Sequence, residues 1–251
     1  MTEQSSKPMK SSKPPKPPKP SKTAQSAKSK IDTRSPVVIG DVHGCIDELK
    51  ALLKKLEYSP SKHRLIFVGD LINKGPDSLS VLKLVRGLDA EVVLGNHEMN
   101  FIKQCQRGVK RSEEQKALEK QLGPNLDQWV EYMSTWPLYI EANDFMVVHG
   151  GLVPGLHPKD TDPNLTVNLR TWDGVGEDIN NHNHKAWFDL YEGHKLVLFG
   201  HWARLGLMVR RYAIGLDTGC VYGRKLTAMI LPERRVVQVK AAKPYKIPSS
   251  V

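Results

Sequence analysis

Asp, Asn and His residues recur in one kind of place in this 251-residue chain, directly after a short apolar run. Residues 37–40 lead into Asp41-Val42-His43-Gly44, and residues 65–69 lead into Asp70. Residues 92–95 lead into Asn96-His97-Glu98, 145–148 into His149-Gly150-Gly151, and 196–200 into His201. Each place offers a hard oxygen or nitrogen donor, usually beside a glycine that lets the backbone turn tightly and approach an ion or a phosphate. Asp41 and His43 stand two apart, so an extended segment can present both to one ion. A carboxylate such as Asp70 can bridge two ions, and Asn96, His149 and His201 would complete a second site. Mixed Asp, Asn and His donors without a thiolate suit two divalent ions (Mn, Co, Fe, Zn or Mg) rather than a structural zinc. Two ions about 3.5–4 Å apart lower the pKa of a shared water and hold phosphoryl oxygens for in-line attack. The expected chemistry is hydrolysis of phosphate esters or anhydrides. Any one of these residues alone reads as a cap, a turn or a core group; five strand-end motifs together do not. His63, His157, His182, His184 and His194 lack that context and are assigned structural roles, as are Asp47 and Asp77 near helix N-termini.

The elements that must position these groups are legible from periodicity. The apolar runs 37–39, 65–68, 92–94, 145–148, 196–199 and 213–216 have strand length and the Val, Ile and Leu content of buried strands. Runs 226–231 and 235–240 form an expected closing hairpin across residues 232–234. Ile46, Leu49, Leu52, Leu53 and Leu56 share a helical face, and Leu79, Leu82, Val85 and Leu88 share another. Ser112 and Gln115 have the spacing of a capping box that opens a helix to Gly123, with a further helix over 125–133. The order β-α-β-α-β followed by a strand-rich half predicts an α/β fold of two packed β-sheets flanked by helices. Open α/β sheets place sites at the carboxyl ends of strands, so the five motifs can converge.

Residues 1–35 read as a separate Lys/Pro/Ser-rich tail, with eight Lys and one Arg against Glu3 and Asp32. Of the formal charge of +10, the tail carries +7 and the rest of the chain only +3. Such a tail is expected to be solvated and extended, with contact to a polyanion as its functional alternative. The folded part gains little support from charge for nucleic-acid binding. The expected catalytic domain is 36–242, followed by a C-terminal tail over 243–251. No apolar run approaches the roughly 18 residues that span a bilayer. No secretory signal is visible, and three scattered cysteines make no disulfide framework. A reducing intracellular compartment, by default the cytoplasm, is the expectation, with organelle targeting by the tail left open.

The five motifs, in this order, resemble those of the calcineurin-like metallophosphoesterases over about residues 36–232. Within that superfamily the chain is similar to the phosphoprotein-phosphatase branch, and most of all to the ApaH-like phosphatases related to symmetrical diadenosine tetraphosphatases. The resemblance implies that Asp41, His43 and Asp70 hold a first metal. It implies a second held by Asp70, Asn96, His149 and His201, with His97 as the general acid for the leaving oxygen. Protein Ser/Thr phosphatases carry Asp-Arg where this chain has Asn73-Lys74. The missing Asp removes a carboxylate that would orient and charge the histidine, and Lys replaces a planar fork with a point charge. Residues 75–78 and the stretch Leu216-Asp217-Thr218-Gly219-Cys220-Val221-Tyr222-Gly223 look like the ApaH-like branch instead. Arg170 is the expected phosphate-gripping arginine, with Lys74 beside it, against a plain surface or ion-paired role. Cys220 is expected as a packed side chain.

Four functions follow for comparison. Hydrolysis of a nucleotide phosphoanhydride, of the diadenosine tetraphosphate or cap-like type, leads. Protein Ser/Thr dephosphorylation is weakened by Asn73 and Lys74. Endopolyphosphatase activity would draw on the Lys-rich tail. A non-catalytic nucleic-acid binder or scaffold has no use for six metal donors and His97. The segment 104–137, lying between motifs, is expected to cover the site and select substrates.

Overall fold

Alternation within single strands builds the layers. In β1 (Ser35–Ile39), Val37 and Ile39 enter one core while Val38 enters another, because successive side chains leave opposite faces of a strand. The same division holds in β2 (His63–Phe67), where Leu65 and Phe67 oppose Ile66. The structure, a computed structural model, describes residues 32–107 and 112–247.

From the N-terminal side the order is β1, α1 (Ile46–Lys55), β2, α2 (Ser78–Gly87), β3 (Glu91–Val92), α3 (Asn96–Arg107), α4 (Glu113–Leu122) and α5 (Leu126–Ser134). There follow β4 (Tyr139–Glu141), β5 (Phe145–Val148), α6 (Pro163–Asn168), β6 (Thr171–Trp172) and β7 (Lys185–Ala186). The chain ends with β8 (Leu196–Phe199), β9 (Met208–Val209), β10 (Ala213–Gly215), β11 (Lys225–Ile230) and β12 (Arg235–Lys240). One five-stranded sheet runs β12-β11-β1-β2-β3, a second runs β4-β5-β8-β10-β9, and β6 pairs with β7. The two packed sheets and flanking helices are those expected.

Three apolar clusters glue the layers. Val37, Leu65, Phe67 and Leu226 pack under Leu49, Leu52, Leu82, Phe101, Leu118 and Trp129 of the helices. Val38, Ile66 and Met229 meet Val147, Leu198 and Ile214 between the sheets. Val148, Val197 and Phe199 are covered by Trp187, Phe188 and Trp202 on the far side. Strands buried on both faces need continuous apolar runs, and the sequence shows them.

The capping box closes as expected: Ser112 accepts from Gln115 N–H (3.3 Å), and the Gln115 side chain accepts from Ser112 N–H (2.7 Å). Asp77 caps α2 by accepting from Ser80 N–H at 2.8 Å. The expected basic tail lies outside the described residues apart from 32–35, and Ser35 already belongs to β1. The start of the expected C-terminal tail is tied down. Tyr245 and Lys246 N–H both donate to Val221 O, and the Tyr245 hydroxyl donates to Glu48. Among the described residues, no helix is long and apolar enough to cross a membrane.

Candidate metal centre

Parallel pairing sets the site. β1, β2 and β3 are mutually parallel in the first sheet, and β5, β8 and β10 in the second, so within each sheet the strand ends carrying polar motifs lie on one edge. The ends are stitched to each other by the backbone. His43 N–H donates to Asp70 O (2.9 Å), and Gly200 N–H donates to His149 O (2.9 Å). Two glycines are required by close approach: a Cβ at Gly95 would strike the Asp70 backbone, and one at Gly200 would strike the Asp41 carboxylate. His43, Asp70, Asn73, Lys74 and His201 all adopt positive φ, between 46° and 68°. Positive φ is uncommon for non-glycine residues, and five of the eight that adopt it among the described residues lie here.

Asp70 stands at the centre with its two oxygens turned to different partners. Oδ2 lies 3.4 Å from His43 Nε2 and 4.0 Å from His97 Nε2, while Oδ1 lies 3.4 Å from His149 Nε2. The donor atoms of His43, Asp70 and His97 lie within 4.8 Å of one another, as do those of Asp70, His149 and His201. Asn96 Oδ1 joins the second set, 2.9 Å from His149 Nε2 and 3.0 Å from His201 Nδ1. Asp41 belongs to neither set and is buried beside them, its carboxylate accepting the His201 N–H at 3.1 Å.

His43, His149 and His201 are each held by a backbone carbonyl on the nitrogen turned away from Asp70 or Asn96. His43 Nδ1 donates to Ile72 O (2.9 Å) and His149 Nδ1 to Val68 O (2.7 Å). His201 Nε2 faces Asn168 O at 3.1 Å. This anchoring fixes the tautomer and turns the remaining nitrogen inward, as outer partners of metal-bound histidines do.

The charges fit cations. Burial, with the Lys74 charge next, holds His43 well below its ordinary pKa, and burial with His149 and Arg170 does the same for His201. That direction favours the neutral ring, the form that binds a cation. A neutral ring has one N–H, yet His201 faces two oxygens that accept, Asn168 O and Asn96 Oδ1. One of those contacts sets lone pair against lone pair, and a cation between them relieves it. Burial opposes charge on His149 too, but the Asp70 carboxylate outweighs it and raises that ring to about 9. Asp41 is pushed well up by burial and by the neighbouring Asp217 carboxylate. On the other flank the Lys74 ammonium donates to the inward His43 Nε2 at 2.9 Å, a cation resting on a nitrogen expected to bind metal. The donor set thus suits divalent ions.

His97 sits at the rim, its side chain 20% exposed against 4% for His43. Asn73 Nδ2 donates to His97 Nδ1 at 3.1 Å, which leaves the proton of the neutral ring on Nε2, facing the cleft. Arg170 donates to His201 O (2.9 Å) and Asn180 Oδ1 (3.0 Å) and lines the cleft with Lys74. All nine sequence-assigned site residues therefore gather here.

His182, assigned a structural role, lines the cleft, whereas His63, His157, His184 and His194 sit in turn, pairing or ring contacts outside it. Of the described residues in 104–137, none lines the cleft, and Leu118, Leu122, Trp129 and Met133 of this segment pack into the helical core. The walls come from residues 180–182, 202–204 and 222–224.

Two residues escaped the sequence reading. The buried Glu98 carboxylate accepts from the N–H groups of Asp70 (3.0 Å), Leu71 (2.8 Å), Ile72 (3.2 Å) and Gly95 (3.2 Å). It clamps the ends of β2 and β3 together and so aims Asp70. Burial, then the Asp70 charge, pushes it up to about 7. Asp217, 5% exposed, lines the cleft just after β10. It obeys the strand-end rule that picked out the other donors.

Comparison with known proteins agrees with this geometry. The family model of the calcineurin-like phosphoesterases matches residues 36–205. A symmetrical bis(5'-nucleosyl)-tetraphosphatase of Aromatoleum aromaticum is 32% identical, over 82% of this chain and 96% of that protein. An asymmetrical bis(5'-nucleosyl)-tetraphosphatase of Oceanobacillus iheyensis is also 32% identical, over 83% of this chain and 93% of its own. A crystal structure of a candidate diadenosine tetraphosphatase superposes with a TM-score of 0.75 at 32% identity, covering 84% of this chain and 95% of that one. A Saccharomyces cerevisiae protein serine/threonine phosphatase shares only the fold, at 16% identity and a TM-score of 0.57. The chain belongs to the calcineurin-like phosphoesterase family.

Proposed function

We propose that this protein hydrolyses phosphoanhydride bonds of nucleotides of the dinucleoside tetraphosphate or cap-like type. The observation that supports the reading is the split of Asp70 between His43 and His149, 3.4 Å from each, which suits it to bridge two cations. Asp41, His43 and Asp70 would hold one divalent ion, and Asp70, Asn96, His149 and His201 the other. When bound, the ions supply an activated water and neutralise phosphoryl charge.

The chain's own residues do the rest. The carbonyls of Ile72, Val68 and Asn168 keep three imidazoles aimed inward, so little reorganisation accompanies loading. His43 Nε2, which the Lys74 ammonium faces at 2.9 Å, would hold one ion, and Lys74 would then be available to a phosphate. Arg170, fixed by Asn180 and His201, presents its guanidinium to the same anion. Protonated His97 would present its Nε2–H at the rim to a departing phosphate oxygen and be left as the neutral ring. Asn73 in place of a carboxylate, and Lys74 in place of arginine, separate this site from the protein phosphatases whose fold it shares.

The test is a product assay with Mn²⁺ across a dinucleoside tetraphosphate, a capped RNA fragment, polyphosphate and a phosphopeptide. Turnover of the first or second with nucleoside phosphates as products is expected. Turnover confined to the phosphopeptide would overturn the reading.

A further inference from the structure

The cleft carries more fixed positive charge than its central donors use. Lys74, Arg170, Arg204 and Arg224 line it, while the lining carboxylates are only Asp70 and Asp217, both deeply buried. The outer pair is set by two loops tied together. Arg224 Nη1 donates to Ala203 O at 3.0 Å, joining the β10–β11 loop to the 3-10 turn over Ala203–Leu205 that carries Arg204. Both arginines are exposed, and neither has a carboxylate partner among the described residues.

The opposite wall is equally prepared. In the loop between β6 and β7, the Asp173 carboxylate accepts the N–H groups of Val175, Gly176, Glu177 and Asp178 at 2.6–3.0 Å. The bonds from Gly176 and Asp178 above all hold it well below the ordinary carboxylate range. The loop so fixed sets Asn180 against Arg170 and brings His182 to the cleft. Like charges gathered without counter-ions repel one another, and an anion with several charges removes that repulsion. The cleft is open and about 400 Å³, a size typical of small-molecule sites and ample for more than one phosphate.

We infer that Arg204, Arg224 and His182 form an outer subsite for the phosphates beyond the one under attack. The cleft then selects a chain of phosphates, on a nucleotide or as inorganic polyphosphate, over a phosphate monoester. This inference rests on the anhydride reading above and assigns its specificity to three loops that supply none of the metal donors except His201.

The experiment compares the full-length protein with its Arg204→Gln/Arg224→Gln variant at saturating Mn²⁺. Inhibition of aryl phosphate turnover is measured with inorganic tripolyphosphate and with orthophosphate. The variant is expected to raise the tripolyphosphate inhibition constant about 10-fold and the orthophosphate constant less than about 2-fold. In a second arm, kcat/KM for a dinucleoside tetraphosphate falls by a similar factor, mainly through KM, since the subsite reads phosphates and not bases. An unchanged tripolyphosphate constant, or equal weakening of both inhibitors, overturns the subsite. If wild-type protein leaves the dinucleotide intact while tripolyphosphate binding still weakens in the variant, the nucleotide reading fails and the subsite stands. Arg204→Gln alone gives the same comparison should the double variant prove unstable.

Discussion

Restoring a carboxylate beside His97 is the most discriminating single change. Asn73 is 7% exposed, and its Nδ2 lies 3.1 Å from His97 Nδ1. Burial, joined by the Lys74 charge, holds His97 below its ordinary pKa despite the pull of Asp70. In Asn73→Asp a full negative charge replaces that amide, and the positive φ of 68° at this position is one that Asp tolerates. Two unit charges at this separation attract by about 5 kcal/mol at an effective dielectric of about 20 and by about 1.3 kcal/mol in bulk water. At about 1.36 kcal/mol per pKa unit this brackets the effect between about 1 and 4 units. The half-open rim and the adjacent Lys74 favour the lower part, about 1–3. The folded-state pKa of His97 rises, so the protonated acid persists to higher pH. The stabilisation from the new pair is full below the imidazole's unfolded pKa and lost as pH climbs through the raised one. The alkaline limb of log kcat/KM therefore moves up by about 1–3 pH units. The assay is an aryl phosphate pH–rate profile at saturating Mn²⁺ for both proteins, with thermal melts at pH 6 and 9. Superimposable alkaline limbs from a folded, metal-loaded variant would refute the role given to His97 and its neighbour.

Three further outcomes follow from the same geometry. Asp70→Asn should lower bound metal below two ions per chain and cut turnover by at least about 10²-fold; elemental analysis with near-normal turnover would defeat the bridging assignment. His97→Asn should keep its metal and lose about 10²–10⁴-fold in turnover, so loss of metal in that variant would make His97 a ligand. Glu98→Gln turns an amide NH₂ toward two of four buried N–H donors, a cost of about 2–6 kcal/mol. Removing a carboxylate that burial already penalises offsets part of it, so a clear fall in the thermal midpoint is expected, and an unchanged midpoint would show that the clamp contributes nothing.

Much of this was legible because each element obeys a local rule. Continuous Val, Ile and Leu runs mark strands that are buried on both faces, and the runs at 145–148, 196–199 and 235–240 became β5, β8 and β12 residue for residue. The donors were visible because a polar group directly after such a run must emerge at a sheet edge. What stayed hidden depends on long-range contact. Helix α3 begins at Asn96 itself and carries a polar exposed face, so its apolar stripe of Met99, Phe101 and Ile102 is too narrow to stand out. The strands β6 and β9 are two residues long, held by tertiary packing and not by pattern.

Glu98 and Asp217 show two different limits. Asp217 follows a strand as Asp41 and Asp70 do, so the rule that found them applies to it, and only its distance from the other motifs disguised it. Glu98 sits in the open beside His97, yet its role is to receive four N–H groups, three of them 26 to 28 residues away. A donor declares itself by residue type; a clamp is defined by what it holds. The metal centre needs both, because Asp70 can turn its oxygens two ways only while the loop that carries it is fixed. A charge buried for that purpose is costly to the fold, as its raised pKa near 7 shows. That cost is the physical reason to expect that the clamp serves the site rather than stability alone.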